Sequence, residues 1–341
     1  MRQPAPLHEY QTIGRIWAVA LEFKLSLKLI QIGMNTADLP ATLELFTEAF
    51  GFRNAGSQVI LGSLIQIQGL DTSAHALMWW LVGAQPRLQL EFFHHTKPAQ
   101  RPLRADWTPA DHGWTRFGIA VEGFDRALEQ MAKRGIAPIA GVVSVGGLRR
   151  CAFRDPAIGA IVEVMEDGEA LRALGGRNAG PALVYASASV SDLAAARVFY
   201  GDVLQLTFAP NADLHPPKAD VLWGLDGAQS ESFLVNAGGV LLEIVQYRAP
   251  MGRPRAGDYR TSDQGVVNVA LGARDKPPIE AAFKRLAAAG LTPPYLVDVG
   301  DLLAGYIIDA EREIELAVIP ESLEAALGFA PLSPFLGASE G

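Results

Sequence analysis

The stretch GAIVEVMED, residues 159–167, places Glu163 in the middle of an apolar, strand-like run. Three other stretches have the same form around Glu91, Glu243 and Glu315: RLQLEFFHH (87–95), GVLLEIVQY (239–247) and REIELAVIP (312–320). Burying a carboxylate costs several kcal/mol unless a partner or a polar cavity compensates it. The recurrence therefore predicts that these glutamates face sheltered polar sites.

The glutamates also reveal an internal repeat, because Glu91 and Glu243 are 152 residues apart, as are Glu163 and Glu315. Each glutamate follows a segment made of a strand-like run, a polar turn and a helical pattern; these segments are 29–52, 115–136, 183–206 and 267–291. β-rich runs broken by Gly, Pro and Asp lie between each helix and its glutamate. The pattern predicts four βαβββ modules in an α+β fold.

The linker GEALRALGGRNAG (168–180) lies where the repeat restarts, and it is the preferred domain boundary. We predict a first domain of two modules over residues 27–170 and a second over 181–320. Residues 1–26 form an N-terminal extension outside the repeat, and residues 321–341 form a C-terminal tail.

Composition narrows the class of protein. The 341 residues are 49% hydrophobic and 19% charged, with a net charge of −8 and no long basic run, which argues against nucleic-acid and anionic-membrane partners. The single cysteine, Cys151, favours a reduced compartment. The apolar run IWAVALEF (16–23) is too short to span a membrane. We expect a cytoplasmic protein with a small-molecule partner, and a homodimer is left open.

One polar residue lies at the equivalent position of the first strand in each module. Twenty-five residues separate Glu91 from Arg116, and the same number separates Glu243 from Asn268. The spacing predicts two quartets, which are Gln31, Glu91, Arg116 and Glu163 in one site and Tyr185, Glu243, Asn268 and Glu315 in the other.

The paired modules, together with FRDPAIGAIVEV (153–164), resemble the vicinal oxygen chelate superfamily, whose members include glyoxalase I, extradiol dioxygenases and bleomycin-binding proteins. The resemblance covers residues 27–320. It implies that the modules pair into two cup-shaped, glyoxalase-like domains. It also implies that the first and last strands of two modules point at one metal ion.

The residues at these first-strand and last-strand positions differ from those that the resemblance to extradiol dioxygenases and to glyoxalase I implies. Extradiol dioxygenases require two histidines and one glutamate, and none of the four first-strand positions is histidine, so ring cleavage of that kind is not expected. Glyoxalase I resembles the first quartet at Gln31, Glu91 and Glu163, but Arg116 replaces its first-strand histidine. An arginine stays protonated and does not bind a metal.

In the first quartet we predict Glu91, Arg116 and Glu163 as catalytic residues. Arg116 would bind a substrate anion or oxyanion while one glutamate acts as the general base. A purely structural ion pair is the alternative for the same residues. The predicted substrate-binding residues are Gln31, Trp114 and His112.

In the second quartet Glu243, Asn268 and Glu315 are predicted metal ligands, with Tyr185 as a fourth donor. An all-oxygen set suits Mg²⁺ or Ca²⁺. The alternative is a set of hydrogen-bonded polar residues on a sheet face. The divalent ion is the one cofactor considered, because VGGLRR (145–150) lacks the spacing of a nucleotide-binding loop.

The predicted function is that of a vicinal oxygen chelate type enzyme. It would act on a small anionic or aromatic metabolite by proton transfer, isomerisation or lyase chemistry. One alternative is a bleomycin-resistance-like protein that binds a small molecule without chemistry. Another is a metal-dependent enzyme whose oxygen-donor site lies in the second domain.

Overall fold

The computed structural model describes residues 27–145, 147–210, 214–215, 219–309, 311 and 313–332. The predicted N-terminal extension, residues 1–26, lies outside the described residues, and so do residues 333–341 of the tail. The described chain forms two eight-stranded sheets with helices packed on them. Four consecutive strand sets confirm the predicted modules.

The first sheet combines modules one and four, in the order β14-β15-β16-β13-β1-β4-β3-β2. Module one contributes β1 (Lys28–Asn35), β2 (Arg53–Leu61), β3 (His75–Val82) and β4 (Gln89–Lys97). Module four contributes β13 (Gly265–Ala273), β14 (Leu296–Val299), β15 (Leu302–Ile308) and β16 (Glu313–Val318). The first strands of the two modules, β1 and β13, pair antiparallel at the centre.

The second sheet combines modules two and three, in the order β10-β11-β12-β9-β5-β8-β7-β6. Module two contributes β5 (Gly113–Val121), β6 (Val143–Val145), β7 (Leu148–Arg154) and β8 (Ile161–Glu166). Module three contributes β9 (Ala182–Ser189), β10 (Thr207–Ala209), β11 (Gln229–Asn236) and β12 (Leu241–Ala249). The central pair is β5 and β9, again antiparallel.

Among the described residues, each module has one α-helix, and a fifth lies in the linker between modules two and three. The helices are α1 (Leu39–Glu44), α2 (Phe124–Lys133), α3 (Glu169–Gly175), α4 (Leu193–Val198) and α5 (Lys276–Ala288). Asp38 caps α1 by accepting a hydrogen bond from Ala41 N at 3.1 Å, and Asp192 caps α4 by accepting one from Ala195 N at 2.9 Å. Both helices continue into a π-helical turn, Leu45–Ala49 and Phe199–Val203.

The sheet order corrects the expected pairing of modules. The predicted domain 27–170 grouped module one with module two, although the sequence leaves open which modules share a cup; module one shares its sheet with module four. The ranges 27–170 and 181–320 therefore each contribute strands to both sheets. The physical reason is that the first strand of a module leaves unpaired backbone groups at its edge, and these are satisfied by a first strand from the other half of the chain.

A common hydrophobic core joins the two sheets through their helix-bearing faces. Phe46, which follows α1, stacks on Phe117 of β5 with ring centroids 6.3 Å apart. Phe50 packs against Phe153 of β7 at 6.1 Å. The helices are thus held between the sheets, and the concave face of each sheet points away from this core. No helix among the described residues is long and apolar enough to cross a membrane.

Candidate active site

Four polar side chains meet on the concave face of the first sheet, which we name the 1–4 cup. They are Gln31 on β1, Glu91 on β4, Asn268 on β13 and Glu315 on β16. Gly33 pairs in register with both Glu91 and Asn268. A Cβ atom at Gly33 would lie 2.1 Å from Asn268 Oδ1. The glycine therefore leaves the space in which the other residues approach one another.

Glu91 is almost completely buried, with 4% of its surface exposed. Trp80 Nε1 donates a hydrogen bond to Glu91 Oε1 at 2.9 Å, and Gln31 Nε2 donates one to Glu91 Oε2. Burial raises the pKa of Glu91 well above its usual range, and the carboxylate of Glu315 raises it further. Glu91 is therefore held in a fixed position with an unfavourable negative charge.

Glu315 lies in the same cup and receives two hydrogen bonds. Asn268 Nδ2 donates to Glu315 Oε2 at 3.4 Å, and Tyr306 forms a side-chain hydrogen bond with the same carboxyl group. Burial raises the pKa of Glu315, while the Tyr306 and Asn268 hydrogen bonds oppose the rise. The cup thus contains one buried and one partly exposed carboxyl group, which repel each other when both are ionised.

Nothing in the described part of the chain neutralises this pair of carboxyl groups. Across the described residues, neither Glu91 nor Glu315 forms an ion pair. Asn268 Oδ1 is buried without a hydrogen-bond partner. Among those same residues, no three of the types His, Cys, Asp and Glu cluster as metal ligands. The site is therefore a set of two carboxylates and two carboxamides, with a donor oxygen left unsatisfied.

The walls beside these polar groups are apolar. One buried cluster is built from side chains of β2, β3, β4 and β13 and of the turn between β2 and β3; its larger members are Ile60, Ile65, Met78, Trp80, Phe93 and Val267. Trp80 belongs both to this cluster and to the hydrogen bonding of Glu91. The polar groups of the 1–4 cup therefore lie beside a cluster of apolar and aromatic side chains.

The corresponding positions of the second sheet, the 2–3 cup, are Arg116, Glu163, Tyr185 and Glu243. Arg116 Nη2 donates to Glu243 Oε2 at 2.5 Å, and Nη1 donates to the Tyr247 hydroxyl at 3.2 Å. The guanidinium also lies 4.1 Å from the ring centroid of Trp223. Arg116 is thus enclosed by a carboxylate, a hydroxyl and an aromatic face.

His215 joins the two glutamates of the 2–3 cup. Its Nδ1 lies 2.9 Å from Glu243 Oε1, and its Nε2 lies 2.9 Å from Glu163 Oε2. Tyr185 donates to Glu163 Oε2 at 2.6 Å, and Arg150 Nη1 lies 3.6 Å from Glu163 Oε1. Burial alone would lower the pKa of His215, but the two carboxylates outweigh it and raise the pKa to about 9.

The carboxylates of the 2–3 cup are therefore stabilised in their charged form. Burial opposes ionisation of Glu163, but the charges of His215 and Arg150 outweigh it and lower its pKa. Burial also opposes ionisation of Glu243, whose pKa Arg116 and His215 hold far below the usual range. Glutamates with lowered pKa values are weak bases, so this network suits structure better than proton transfer.

The fold of this chain is similar to those of two solved structures. Glyoxalase I from Zea mays is 15% identical, with a TM-score of 0.60, over 89% of this chain and 96% of that one. A putative dioxygenase from Bacillus subtilis subsp. subtilis str. 168 is 13% identical, with a TM-score of 0.60, over 91% and 92% of the two chains. No protein-family profile and no curated protein matches the sequence.

The chain has the vicinal oxygen chelate fold. At these identities the likeness establishes the fold and no activity. Both similar chains are covered over almost their whole length, which is consistent with four modules in one polypeptide.

Within this vicinal oxygen chelate fold, the predicted quartets are regrouped. Gln31 and Glu91 lie with Asn268 and Glu315, so the proposed catalytic trio of Glu91, Arg116 and Glu163 is divided between cups. The predicted metal trio is divided as well, because Glu243 lies in the 2–3 cup, bound to Arg116. Both corrections follow from the pairing of module one with module four.

The predicted substrate-binding residues Trp114 and His112 lie outside both polar clusters. They line a separate cavity of about 240 Å³ between the linkers 101–114 and 255–266. Trp114 Nε1 donates to the Glu313 carbonyl oxygen at 2.9 Å, and His112 Nδ1 lies 3.5 Å from Glu311 Oε1. The 1–4 cup thus contains only Gln31 from the predicted substrate-binding set.

Sequence reasoning did not identify His215, Trp80 or Tyr306 as partners of the glutamates. His215 follows no module spacing, because it lies in the connection between β10 and β11. Trp80 and Tyr306 have a signal in the strand register, where they pair directly with Glu91 and Glu315. Those pairs become predictable once the antiparallel hairpins are aligned.

Proposed function

We propose that the 1–4 cup is the active site of an enzyme that moves a proton on a small molecule, as an isomerase or a lyase, with the help of a divalent cation. The observation that supports it is the contrast between the two cups. Glu163 and Glu243 are neutralised by Arg116, Arg150 and His215, whereas Glu91 and Glu315 have no ion-pair partner among the described residues.

A divalent cation fits the donor set of the 1–4 cup. Two carboxylates would balance its charge, and Asn268 offers a buried oxygen that lacks a hydrogen-bond partner. Gln31, whose nitrogen donates to Glu91 and whose oxygen accepts from Gln89, would supply the fourth oxygen after its carboxamide turns. Oxygen donors of this kind suit a hard ion such as Mg²⁺ or Mn²⁺. When bound, such an ion polarises a carbonyl or enolate oxygen as a Lewis acid.

The two glutamates are suited to different roles in this proposal. Glu91 is fixed by Trp80 and has 4% of its surface exposed, so it serves as a positioned ligand. Glu315 is partly exposed and lies beside the Tyr306 hydroxyl. Because Glu315 is the more exposed of the two carboxylates, we assign to it the removal of a proton from the substrate and its return.

The walls of the cup favour an apolar or aromatic substrate. Met78, Trp80 and Phe93 belong to the buried cluster beside the polar floor. The expectation of an anionic substrate rested on Arg116, which lies in the other cup, paired with Glu243. We therefore propose a small carbonyl compound with an apolar or aromatic substituent.

The test begins with the purified full-length chain and Mn²⁺ alone, titrated by calorimetry into the wild type, Glu91→Gln and Glu315→Gln. Glu231→Gln is the control, because Glu231 is an exposed carboxylate in the other sheet. We expect one Mn²⁺ per chain in the wild type and the control and at least a tenfold loss of affinity in the two variants. Equal affinity in all four proteins would contradict the proposed site.

The second arm follows exchange of carbon-bound hydrogen in D₂O by NMR for a panel of small aromatic and aliphatic carbonyl compounds. We expect exchange with the wild type and none with Glu315→Gln. Tight binding of a panel member without exchange, unchanged in both glutamate variants, would instead support a protein that sequesters its ligand.

A further inference from the structure

His95 lies on β4 four residues after Glu91, so the two side chains share the concave face of the sheet. Only 2% of its surface is exposed, and its Nε2 lies 3.0 Å from Gln68 Oε1. Burial and the neighbouring His94 lower the pKa of His95 to about 4, although Asp263 opposes the fall. The imidazole is therefore neutral near pH 7 and carries a single ring N–H.

That N–H must be the one at Nε2. An amide oxygen accepts hydrogen bonds and donates none, so the contact with Gln68 Oε1 requires Nε2 as the donor. Nδ1 then carries no hydrogen, which agrees with its burial without a hydrogen-bond partner among the described residues. His95 therefore holds the oxygen of the Gln68 carboxamide and leaves its nitrogen to bond elsewhere.

Gln68 connects module one to module four. It is the last residue of a 3₁₀ turn between β2 and β3, and this turn packs against β15. A Cβ atom at the next residue, Gly69, would lie 2.9 Å from Ile308 Cδ1 of β15. Across this contact Gln68 forms a side-chain hydrogen bond with Tyr306, which is itself bonded to Glu315.

The Tyr306 hydroxyl has one hydrogen and two neighbours. An ionised carboxylate only accepts, so Tyr306 donates to Glu315, and its oxygen accepts from the Gln68 nitrogen. If the Gln68 carboxamide turned over, its oxygen would face Tyr306 and compete with Glu315 for that hydrogen. His95 opposes this turn by holding the oxygen. The hydrogen bonds therefore run in one direction, from His95 through Gln68 and Tyr306 to Glu315.

The 2–3 cup has the same contact between strand and turn but ends it differently. Tyr247 takes the place of His95, and its hydroxyl donates to Asp220 of the equivalent turn at 2.8 Å. Ala152 takes the place of Tyr306 in the strand register, so that position offers no hydroxyl to orient. The fold therefore accepts other residues at both places, and the histidine and tyrosine are particular to the 1–4 cup.

We propose that His95 is a positioning residue: by holding the Gln68 carboxamide, it keeps the hydroxyl of Tyr306 directed at the general base of the proposed reaction. That base is Glu315, so the inference rests on the proposed function. A carboxylate held by a hydroxyl is presented to the substrate in one orientation, and such orientation contributes to the rate. Module one thereby orients a reacting group of module four.

The test compares variants of the full-length chain. His95→Phe keeps a ring and removes the donor, whereas His95→Gln keeps a side-chain N–H in a similar place. His94→Phe is the matched control, because His94 is the next residue on β4 and its Nδ1 donates to the Thr36 carbonyl oxygen at 3.0 Å. Its side chain lies on the opposite face of the strand.

The readout is the Raman Fermi doublet of tyrosine, whose intensity ratio reports how strongly the hydroxyl donates. Subtracting the spectrum of the same protein with Tyr306→Phe isolates the signal of Tyr306. Spectra are recorded without metal or substrate at pH 8, above the pKa of Glu315 of about 7. Deuterium exchange on a responsive carbonyl compound then gives kcat and KM for each variant.

We expect the Tyr306 signal of His95→Phe to change to that of a weaker donor, because a neutral amide oxygen replaces the carboxylate as acceptor. The kcat should fall roughly twofold to tenfold, which is the worth of one hydrogen bond, with KM unchanged. His95→Gln and His94→Phe should match the wild type. Adding Gln68→Met to His95→Phe should restore the signal, because the competing oxygen is then gone.

If His95→Phe does not fold, His95→Leu replaces it. An unchanged Tyr306 signal in that variant, the same change in His94→Phe, or a change that Gln68→Met does not reverse overturns this inference alone. A wild type that catalyses no exchange overturns the proposed function and the role given to Glu315. The spectra still decide whether His95 orients Tyr306, since they require neither metal nor substrate.

Discussion

Arg116 donates a hydrogen bond to Glu243 at 2.5 Å, and this ion pair lies wholly inside the 2–3 cup. Its two residues come from different halves of the chain, so the pair connects the halves as well as balancing charge. Removing one partner leaves an uncompensated buried charge, which is far more costly than losing an ion pair at the surface.

We therefore expect Arg116→Met to lower the free energy of unfolding by about 3–5 kcal/mol, because Glu243 would stay buried without its cation. Urea denaturation followed by circular dichroism measures this change. Arg248→Met is the control, since the Arg248–Glu231 pair is exposed and should contribute below about 1 kcal/mol. Similar losses in the two variants would contradict the structural role of Arg116.

His215 should make stability depend on pH. Its pKa is raised from 6.5 to about 9, so its stabilising contribution is complete below pH 6.5 and is lost as the pH rises through 9. We expect His215→Gln to be less stable than the wild type by on the order of 3 kcal/mol at pH 6, and the difference to shrink by pH 9.5. Unfolding curves at both pH values measure it.

The exposed His75 provides the comparison for that experiment. His75→Gln makes the same substitution at an exposed histidine and should differ from the wild type by about 0.5 kcal/mol or less at pH 6. A difference between wild type and His215→Gln that stays constant with pH would mean that His215 is not charged between the two glutamates.

Glu315→Gln should stabilise the metal-free protein while abolishing cation binding. Burial raises the pKa of Glu315 from 4.5 to about 7, so its contribution to stability is complete below pH 4.5 and is lost as the pH rises through 7. Glutamine has no charge to bury. Relative to the wild type, the variant should gain on the order of 2 kcal/mol between pH 5 and pH 8.

Thermal unfolding in the presence of a chelator measures this gain, with Glu321→Gln as the control because Glu321 is exposed. A Glu315→Gln protein less stable than the wild type at pH 8 would show that the carboxylate has a stabilising partner. The 1–4 cup would then be structural in the same sense as the 2–3 cup.

Gly33→Ala tests the geometry of the donor set. The added Cβ atom would lie 2.1 Å from Asn268 Oδ1, so the Asn268 side chain must move away from the cup. We expect Mn²⁺ affinity to fall at least tenfold with a modest loss of stability, because a side-chain end can shift cheaply. Gly257→Ala, where the new Cβ atom contacts nothing within 4 Å, should bind Mn²⁺ as the wild type does.

The sequence predicted the four modules but not which modules share a sheet. The 152-residue spacing identified Glu91, Glu163, Glu243 and Glu315 as equivalent last-strand positions, and all four lie on such strands. Spacing is the same whichever modules pair, however, so it cannot decide whether Arg116 meets Glu91 or Glu243. That choice depends on hydrogen bonds between first strands from distant parts of the chain.

The difference between the cups was also not predictable from the repeat. His215 comes from a connection between strands, and connections have no fixed length or periodic pattern.

The nested order of modules has a consequence for synthesis on the ribosome. The sheet of modules two and three is built from neighbouring stretches, whereas Ile32 of β1 must find Val269 of β13 across most of the chain. Pairings between such distant segments form slowly. The first module therefore keeps an unpaired strand edge at β1 until module four has been synthesised. The proposed site forms last.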